Sequence, residues 1–280
     1  MITIVVPVLN GGQYLIEQLQ ALTAQRPNEP WEVVVADNGS TDGSFQVAQE
    51  WSLAHENFHA VDASKVAGPA AARNAGAVAT TGEYLAFCDA DDVVQAGWVD
   101  ACVQALQQAD LAAGRFDLWS LNDDFRPPQQ LWTGIRPLGF LPSGLGANLA
   151  VRRAAFIEVE GFDEELVPLG DDTDLCWRLQ LRGFRFADMP DAMVAKRARP
   201  TFRGVFRQSY GYGQTGPILY QRYRANGLRR DLPGALRGWA WLVLFAPMTF
   251  QPTRRFEWAR GIGVRLGRLK GSWQLRVFFP

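Results

Sequence analysis

Histidine and cysteine are scarce in this chain, which has two of the first and three of the second in 280 residues. His55 and His59 lie in a helix-to-strand stretch away from the other motifs and are read as structural. Cys88, Cys102 and Cys176 are an odd number at no metal-ligand spacing, each inside an apolar or helical pattern. That argues against a disulfide framework or a zinc site, and buried free thiols of a reducing compartment are expected. No Gly-x-Gly-x-x-Gly follows the first apolar run, which weighs against a dinucleotide-dependent oxidoreductase. The start, "MITIVVPVLNGG", lacks a basic n-region and meets a turn too early for a signal peptide, so a first strand and a cytoplasmic location are expected. "GWAWLVLFAPMTF" (Gly238–Phe250) has 13 residues without a charge. A membrane span needs about 20. Acidic residues are missing from the last part: residues 199–280 hold 15 Lys+Arg against 2 Asp+Glu, whereas residues 1–198 hold 13 against 27.

What is present begins with alternation. "ITIVVPV" (Ile2–Val8) reads as a buried strand, followed by a helix with Tyr14, Leu15, Leu19 and Leu22 at helical spacing. "WEVVVAD" (Trp31–Asp37) is a second strand closed by the turn cluster "NGSTDGS", and a helix runs to about Trp51. "NFHAVDA" is a third strand, "GPAAARNAGAVATTG" (Gly68–Gly82) an Ala-rich helix, and "EYLAFCD" a fourth strand. Such alternation implies an α/β fold with a parallel sheet covered by helices, and ligands of such sheets sit outside the carboxyl ends of the strands. Asp37 and Asp89 fall at two such ends. Residues 121–146 are rich in Pro and Gly and read as a loop or flap. "GANLAVRRAAFIEVEGFDEEL" resumes with a short strand and a helix, and "GDDTDLCWRLQLRGFRF" gives a helix from Asp172 to about Arg182 and then a strand. From about Phe202 the pattern is helical, aromatic and Arg-rich.

In "YLAFCDADDVVQAGW", Asp89, Asp91 and Asp92 stand directly after an apolar run. Asp89 and Asp91 could jointly hold a hard divalent cation, since Mg²⁺ and Mn²⁺ take oxygen ligands and Mg²⁺ completes its shell with substrate phosphates. Asp92 is expected only to cap the segment after it. The carboxylate of "ADNGSTDGS" could accept hydrogen bonds from a base or ribose, and Arg73 and Asn74, in a glycine-bounded helix, suit a diphosphate. Asp171, Asp172 and Asp174 surround a helix N-terminus, where acids also serve as caps.

Taken together and in this order, "VVPVLNGGQYLIEQLQAL", "VVVADNGSTDGS", "GPAAARNAGAVATTGEYLAFCDADD", "GANLAVRRAAFIEVEGFDEEL", "GDDTDLCWRLQLRGFRF" and "YGYG" resemble glycosyltransferase family 2, the inverting enzymes of the GT-A fold, over roughly residues 1–225. The resemblance implies a Rossmann-like, mostly parallel sheet with helices on both faces. It also implies a GT-A domain over 1–225, with the nucleotide-sugar part at about 1–115 and the acceptor part at about 116–225, and a helical basic extension over 226–280. Pro7 and Asn10 would line the nucleotide pocket. Asp37 would contact the base, with Asn38 and Ser40 in the same loop. Arg73 would lie near the diphosphate, Asp89 would face ribose and metal, and Asp91 would ligate the Mn²⁺ or Mg²⁺. Asp172 matches the acidic residue proposed as general base; the preceding position, often Glu, is Asp171. Lys196 stands where many relatives carry a metal-facing His, and could contact phosphate directly. The Gln-x-x-Arg-Trp motif of processive synthases is absent, so a single-transfer enzyme is expected.

The implied reaction moves sugar from a nucleotide-diphospho-sugar, most commonly a UDP-sugar, to a lipid-linked or polysaccharide acceptor. A sugar nucleotidyltransferase would open on a Gly-rich, Arg- and Lys-bearing loop, and "VPVLNGGQYL" lacks those charges. A degenerate sugar-nucleotide or membrane-binding module is the non-enzyme alternative, opposed by intact Asp37, Asp89, Asp91 and Asp172. The basic tail faces an anionic surface or docks on the acidic body. Gly238–Phe250 lies between Arg229, Arg230 and Arg237 on one side and Arg254 and Arg255 on the other, a pattern of interfacial helices. The same segment also suits a helix packed against the body; Trp258, Trp273 and the ending "LRVFFP" favour peripheral attachment to the inner face of the cell membrane, and no nucleic-acid partner is expected.

Overall fold

The computed structural model describes residues 1–122, 135–166, 169–247 and 251–280. Residues 123–134 of the expected 121–146 loop, and 248–250 of the uncharged Gly238–Phe250 stretch, lie outside the described residues. The chain forms two compact units. One comprises Met1–Ile135, Pro142–Glu164 and Asp171–Arg197; the other comprises Arg136–Leu141, Glu165–Gly170 and Ala198–Pro280.

The first unit alternates as its sequence pattern implies, through β1 (Ile2–Val8), α1 (Gly12–Thr23), β2 (Trp31–Asp37), α2 (Ser44–Ala54), β3 (Phe58–Asp62), α3 (Pro69–Val78) and β4 (Tyr84–Cys88). Then follow β5 (Val93–Val94), α4 (Trp98–Gln108), β6 (Leu111–Asp117), β7 (Asn148–Arg152), α5 (Arg153–Glu158), α6 (Asp171–Leu181) and β8 (Phe186–Ala195). The strands form one sheet in the order β3-β2-β1-β4-β7-β6-β8-β5. β1 runs parallel to β2 and β4, and β2 to β3. The second half is mixed: β7 is antiparallel to both β4 and β6, and β5 is antiparallel to β8. An α/β sheet with helices on both faces is thus present.

Side chains alternate across a strand, and β1 shows how both faces are used. Ile2, Ile4, Val6 and Val8 pack with Leu15, Leu19 and Leu22 of α1, whereas Val5 packs on the other face with Ala70 and Ala77 of α3. A strand buried on both sides reads as an unbroken apolar run, which is why β1 was legible. Tyr14 is not part of this packing; it is 48% exposed. The three cysteines are free and buried, and burial pushes their thiols up, Cys176 to about 12. His55 stacks on Trp51 at 5.3 Å, and His59 pairs with Glu32 at 3.5 Å.

A buried polar knot ties α4 to the later strands. The indole N–H of Trp98 donates to Asn148 Oδ1 at 2.9 Å, and Asn148 Nδ2 donates to the carbonyls of Arg115 (2.8 Å) and Ala192 (2.9 Å). Gly114 leaves room for that amide, since a Cβ there would collide with it.

The second unit contains α7 (Phe202–Tyr223), α8 (Leu232–Leu244) and α9 (Pro252–Leu275). α7 and α9 approach along a seam of glycines four residues apart. Cβ atoms on Gly263, Gly267 and Gly271 would run into the carbonyls of Phe206, Tyr210 and Gln214 respectively. Small residues at this spacing let helix backbones meet closely. No described helix is long and apolar enough to cross a membrane.

Replacing Asn148 by Leu would strand the Trp98 indole N–H and two carbonyls, at about 1–3 kcal/mol for each unsatisfied group. Asn148→Leu is expected to lower unfolding free energy by roughly 3 kcal/mol or more, followed by tryptophan fluorescence in urea. A loss below about 1 kcal/mol would contradict this role of the knot.

Candidate active site

The acidic turn begins where β4 ends. Gln18, buried on the inner face of α1, braces it with one amide: Nε2 donates to the Asp89 carbonyl at 3.0 Å, and Oε1 accepts from the Val94 N–H at 3.0 Å. One oxygen from each of Asp89, Asp91 and Asp92 lies within 4.8 Å of the others. Like charges about 4 Å apart repel by roughly 4 kcal/mol at the effective dielectric of a protein surface. Two cations offset the repulsion.

Lys196, directly after β8, is the first. Its ammonium is 2.7 Å from Asp92 Oδ2 and 3.8 Å from Asp89 Oδ2. The other oxygen of Asp92 accepts from the Arg197 N–H at 3.0 Å. Asp92 therefore does not cap the segment after it; both its oxygens are held by residues more than a hundred positions away. Burial pushes the Asp92 carboxyl up to about 6 despite the pull of Lys196. Burial would lower Lys196, but Asp92 and Asp89 outweigh it and hold the amine above the usual lysine range. At neutral pH the pair is ionic. Arg197 continues the anchoring, with its guanidinium on Glu17 and 4.2 Å from the centre of the Tyr14 ring.

Arg73 is the second cation. α3 opens with Pro69 in its first turn, where a missing N–H costs nothing, and Arg73 follows within that helix. Its side chain is only 7% exposed and spans two carboxylates, with Nη2 2.8 Å from Asp89 Oδ1 and Nη1 3.0 Å from Asp171 Oδ2. Gly146 makes room for it: a Cβ there would lie 2.8 Å from the guanidinium carbon. These paired charges hold Arg73 protonated against its own burial.

The acids of "GDDTD" divide among different partners. Asp171 goes to Arg73. Asp172 accepts from the N–H groups of Gly146 (3.0 Å) and Thr173 (2.7 Å). Burial and the neighbouring Asp171 push its carboxyl up to about 6, against those hydrogen bonds and Arg73. Asp174 is fully buried on Arg178, whose guanidinium also holds the carbonyls of Val159 and Gly161. Asn74 supports the same loop through both the N–H and the carbonyl of Phe162. At Gly161, φ is +69° and a Cβ would meet Asn74 Oδ1 at 2.6 Å.

Beyond β2, Asp37 Oδ2 accepts from the N–H groups of Gly39 (3.0 Å) and Ser40 (2.9 Å), while its Oδ1 is buried without a protein partner. Ser40 Oγ accepts from the Asn10 N–H at 2.9 Å, and Asn10 Oδ1 from the Thr41 N–H at 2.9 Å. Asn10 has φ of +54°, a conformation its short polar side chain tolerates. The Asn38 amide is occupied by the carbonyls of Ala63 and Val66 and the N–H of Gly68. Pro7 sits in β1 opposite Ala36. Asn10, Asn38 and Ser40 thus fasten loops together, whereas Asp37 keeps one oxygen uncommitted. Gln18 and Gly146 were missed from the sequence. A Gln between Leu15, Leu19 and Leu22 on a buried helix face was the available signal for the first.

The parallel half of the sheet thus ends in an acidic turn, and a buried arginine links that turn to carboxylates at a helix head. The model of Glycosyl transferase family 2 matches residues 3–164 and that of Glycosyl transferase family group 2 matches residues 84–260; the chain belongs to glycosyl transferase family 2. Among its relatives is glycosyltransferase AglE of Haloferax volcanii, 32% identical over 256 residues, covering 88% of this chain and 81% of that one. The pre-mycofactocin glycosyltransferase of Mycobacterium tuberculosis is 28% identical over 251 residues, covering 85% of this chain but only 52% of its own length. Mannosyltransferase PcManGT from Pyrobaculum calidifontis, solved with GDP-Man and Mn²⁺, has the same fold. It superposes with a TM-score of 0.67 at 20% identity, covering 98% of this chain and 87% of that one. S. aureus TarS 1-349 in complex with UDP superposes with a TM-score of 0.57 at 18% identity, covering 100% and 93%.

Arg73→Met is expected to destabilise by about 3–5 kcal/mol, since Asp89 and Asp171 would lose their buried counter-charge. Adding Asp171→Asn should recover part of the loss in thermal denaturation. Additive losses would remove the bridge as a stabilising unit.

Proposed function

We propose that the protein transfers a sugar from a nucleotide-diphospho-sugar, a UDP-sugar being the first to test, to a saccharide or lipid-linked acceptor in one inverting displacement. The observation that carries this reading is the Asp89–Arg73–Asp171 bridge, which joins the acidic turn to the carboxylates beside Asp172. PcManGT and TarS were solved with GDP-Man and with UDP, which supports a nucleotide-sugar donor.

In this reading the uncommitted oxygen of Asp37 accepts an N–H of the base. Asp89 and Asp91, hard oxygen donors close together, suit Mn²⁺ or Mg²⁺. A bound divalent ion would offset the negative charge that develops on the leaving diphosphate. Arg73 and Lys196 supply fixed positive charge at the same end of the site. Asp172 takes the proton of the acceptor hydroxyl as its oxygen bonds to the anomeric carbon, while the bond from that carbon to the diphosphate breaks on the opposite side. A carboxylate of pKa about 6 is deprotonated at neutral pH and still more basic than an ordinary aspartate.

That pKa sets the sign of the pH dependence. Below about pH 6 the protonated Asp172 cannot accept a proton, so kcat should fall on the acid side and level off above it. Asp172→Asn should bind nucleotide normally by calorimetry, lose transfer by about 10²–10⁴-fold and lose that acid limb. Retained transfer would remove Asp172 as base.

We also propose that the second unit attaches to an anionic membrane surface. Leu232, Leu236, Val243 and Leu244 of α8 are between 47% and 74% exposed, at helical spacing and flanked by arginines. An apolar stripe beside cations suits a leaflet interface. The 280-residue chain should sediment with vesicles of mixed phosphatidylglycerol and phosphatidylcholine. A Leu236→Glu, Val243→Glu, Leu244→Glu variant should remain in solution; equal sedimentation would overturn the assignment.

A further inference from the structure

Lys196 is built into the acidic turn from several sides. β5 pairs with β8 so that Val93 lies opposite Ala195 and Val94 opposite Val194, which brings the turn alongside the residue that follows β8. The Lys196 N–H donates to the Asp117 carbonyl at 2.8 Å, and its carbonyl accepts from Asn122 Nδ2 at 2.8 Å. The ammonium lies 2.7 Å from Asp92 Oδ2, 3.8 Å from Asp89 Oδ2 and 5.3 Å from the centre of the Phe116 ring. Its side chain remains 25% exposed, so the cation is both fixed and accessible. Asp92, with both oxygens engaged by Lys196 and Arg197, is committed to holding this amine.

Such a cation does two things at once. It opposes a second cation at Asp89, because like charges a few ångströms apart repel even at high effective dielectric. It also keeps the N–H donors not given to Asp92, and its positive charge, for an anion arriving at the turn. We propose that Lys196, clamped by Asp92, is a resident counter-cation of the donor site: it weakens divalent-metal binding to the nucleotide-free protein and binds the donor's diphosphate directly, so that nucleotide binding survives removal of metal. This rests on the nucleotide-sugar reading of the site.

The test is nucleotide and metal binding rather than turnover. Wild-type protein should bind UDP or GDP by calorimetry in EDTA, with Mn²⁺ tightening the better of the two by no more than about tenfold, or 1.4 kcal/mol. Lys196→Met should lose at least about tenfold in nucleotide affinity in EDTA. In the nucleotide-free variant, Mn²⁺ affinity read by electron paramagnetic resonance should rise by about tenfold. Lys196→Arg, which keeps the charge, should resemble wild type in both. Should Lys196→Met unfold because Asp92 is left buried and uncompensated, the Lys196→Met, Asp92→Asn double variant removes both charges and should still lose nucleotide binding in EDTA. Wild-type binding that vanishes in EDTA and returns with Mn²⁺ would overturn the counter-cation while leaving the donor site intact. Unchanged Mn²⁺ affinity in folded Lys196→Met would overturn it as well. Absence of UDP and GDP binding with and without Mn²⁺ would instead sink the donor-site reading on which it stands.

Discussion

A buried guanidinium between two carboxylates is the constraint on which the rest of the site depends. Arg73 joins Asp89, at the end of a central strand, to Asp171, which opens a helix 98 residues further along the chain. A buried ion is costly unless its partners are close and well oriented, and here the glycine at 146 provides the space for that geometry. Once the bridge forms, the neighbouring carboxylate, Asp172, is fixed by two backbone N–H groups in a half-buried setting. Its raised pKa comes from that setting, with burial first and Asp171 second.

The same logic explains why three aspartates can crowd one turn. They are unequal in role. Asp92 is buried and paired with Lys196, whereas Asp89 is shared among Arg73, Lys196 and the brace that Gln18 places on its carbonyl. The turn is held by charge from two directions and by one amide from below, so it presents a carboxylate edge without flying apart. The second unit solves a different problem. Its glycine seam lets α7 and α9 meet backbone to backbone, which leaves their larger apolar and basic side chains for other surfaces.

Much of this was legible in the chain itself. β1 and β2 appear where β-branched runs end at turn residues, because a strand buried on both faces carries its own local signature. The carboxylates at 37, 89, 91 and 172 stood out because acids directly after apolar runs or at a helix head need a reason. In the second half of the sheet β7 and β8 were expected as strands, but β5, β6 and the pairing of all four were not legible. β6 carries the Ala- and Gly-containing "LAAGRFD", β5 is two residues long, and antiparallel β7 sits between strands distant in sequence. None of these has a period that announces its partner.

The roles of the polar residues divide along the same line. Residue type and position along the strands determined the fold class, the family and which carboxylates stand at strand ends, since these depend on patterns within a few residues. Tertiary structure alone decided that Asp92 belongs to Lys196, that Asp174 belongs to Arg178 and the 159–161 loop, and that Asn10, Asn38 and Ser40 fasten loops. It also decided that Gln18, Gly146 and Asn148 matter at all. These pairings are set by sheet register and by where burial leaves a charge or amide without water, and neither is written in any one segment of the chain.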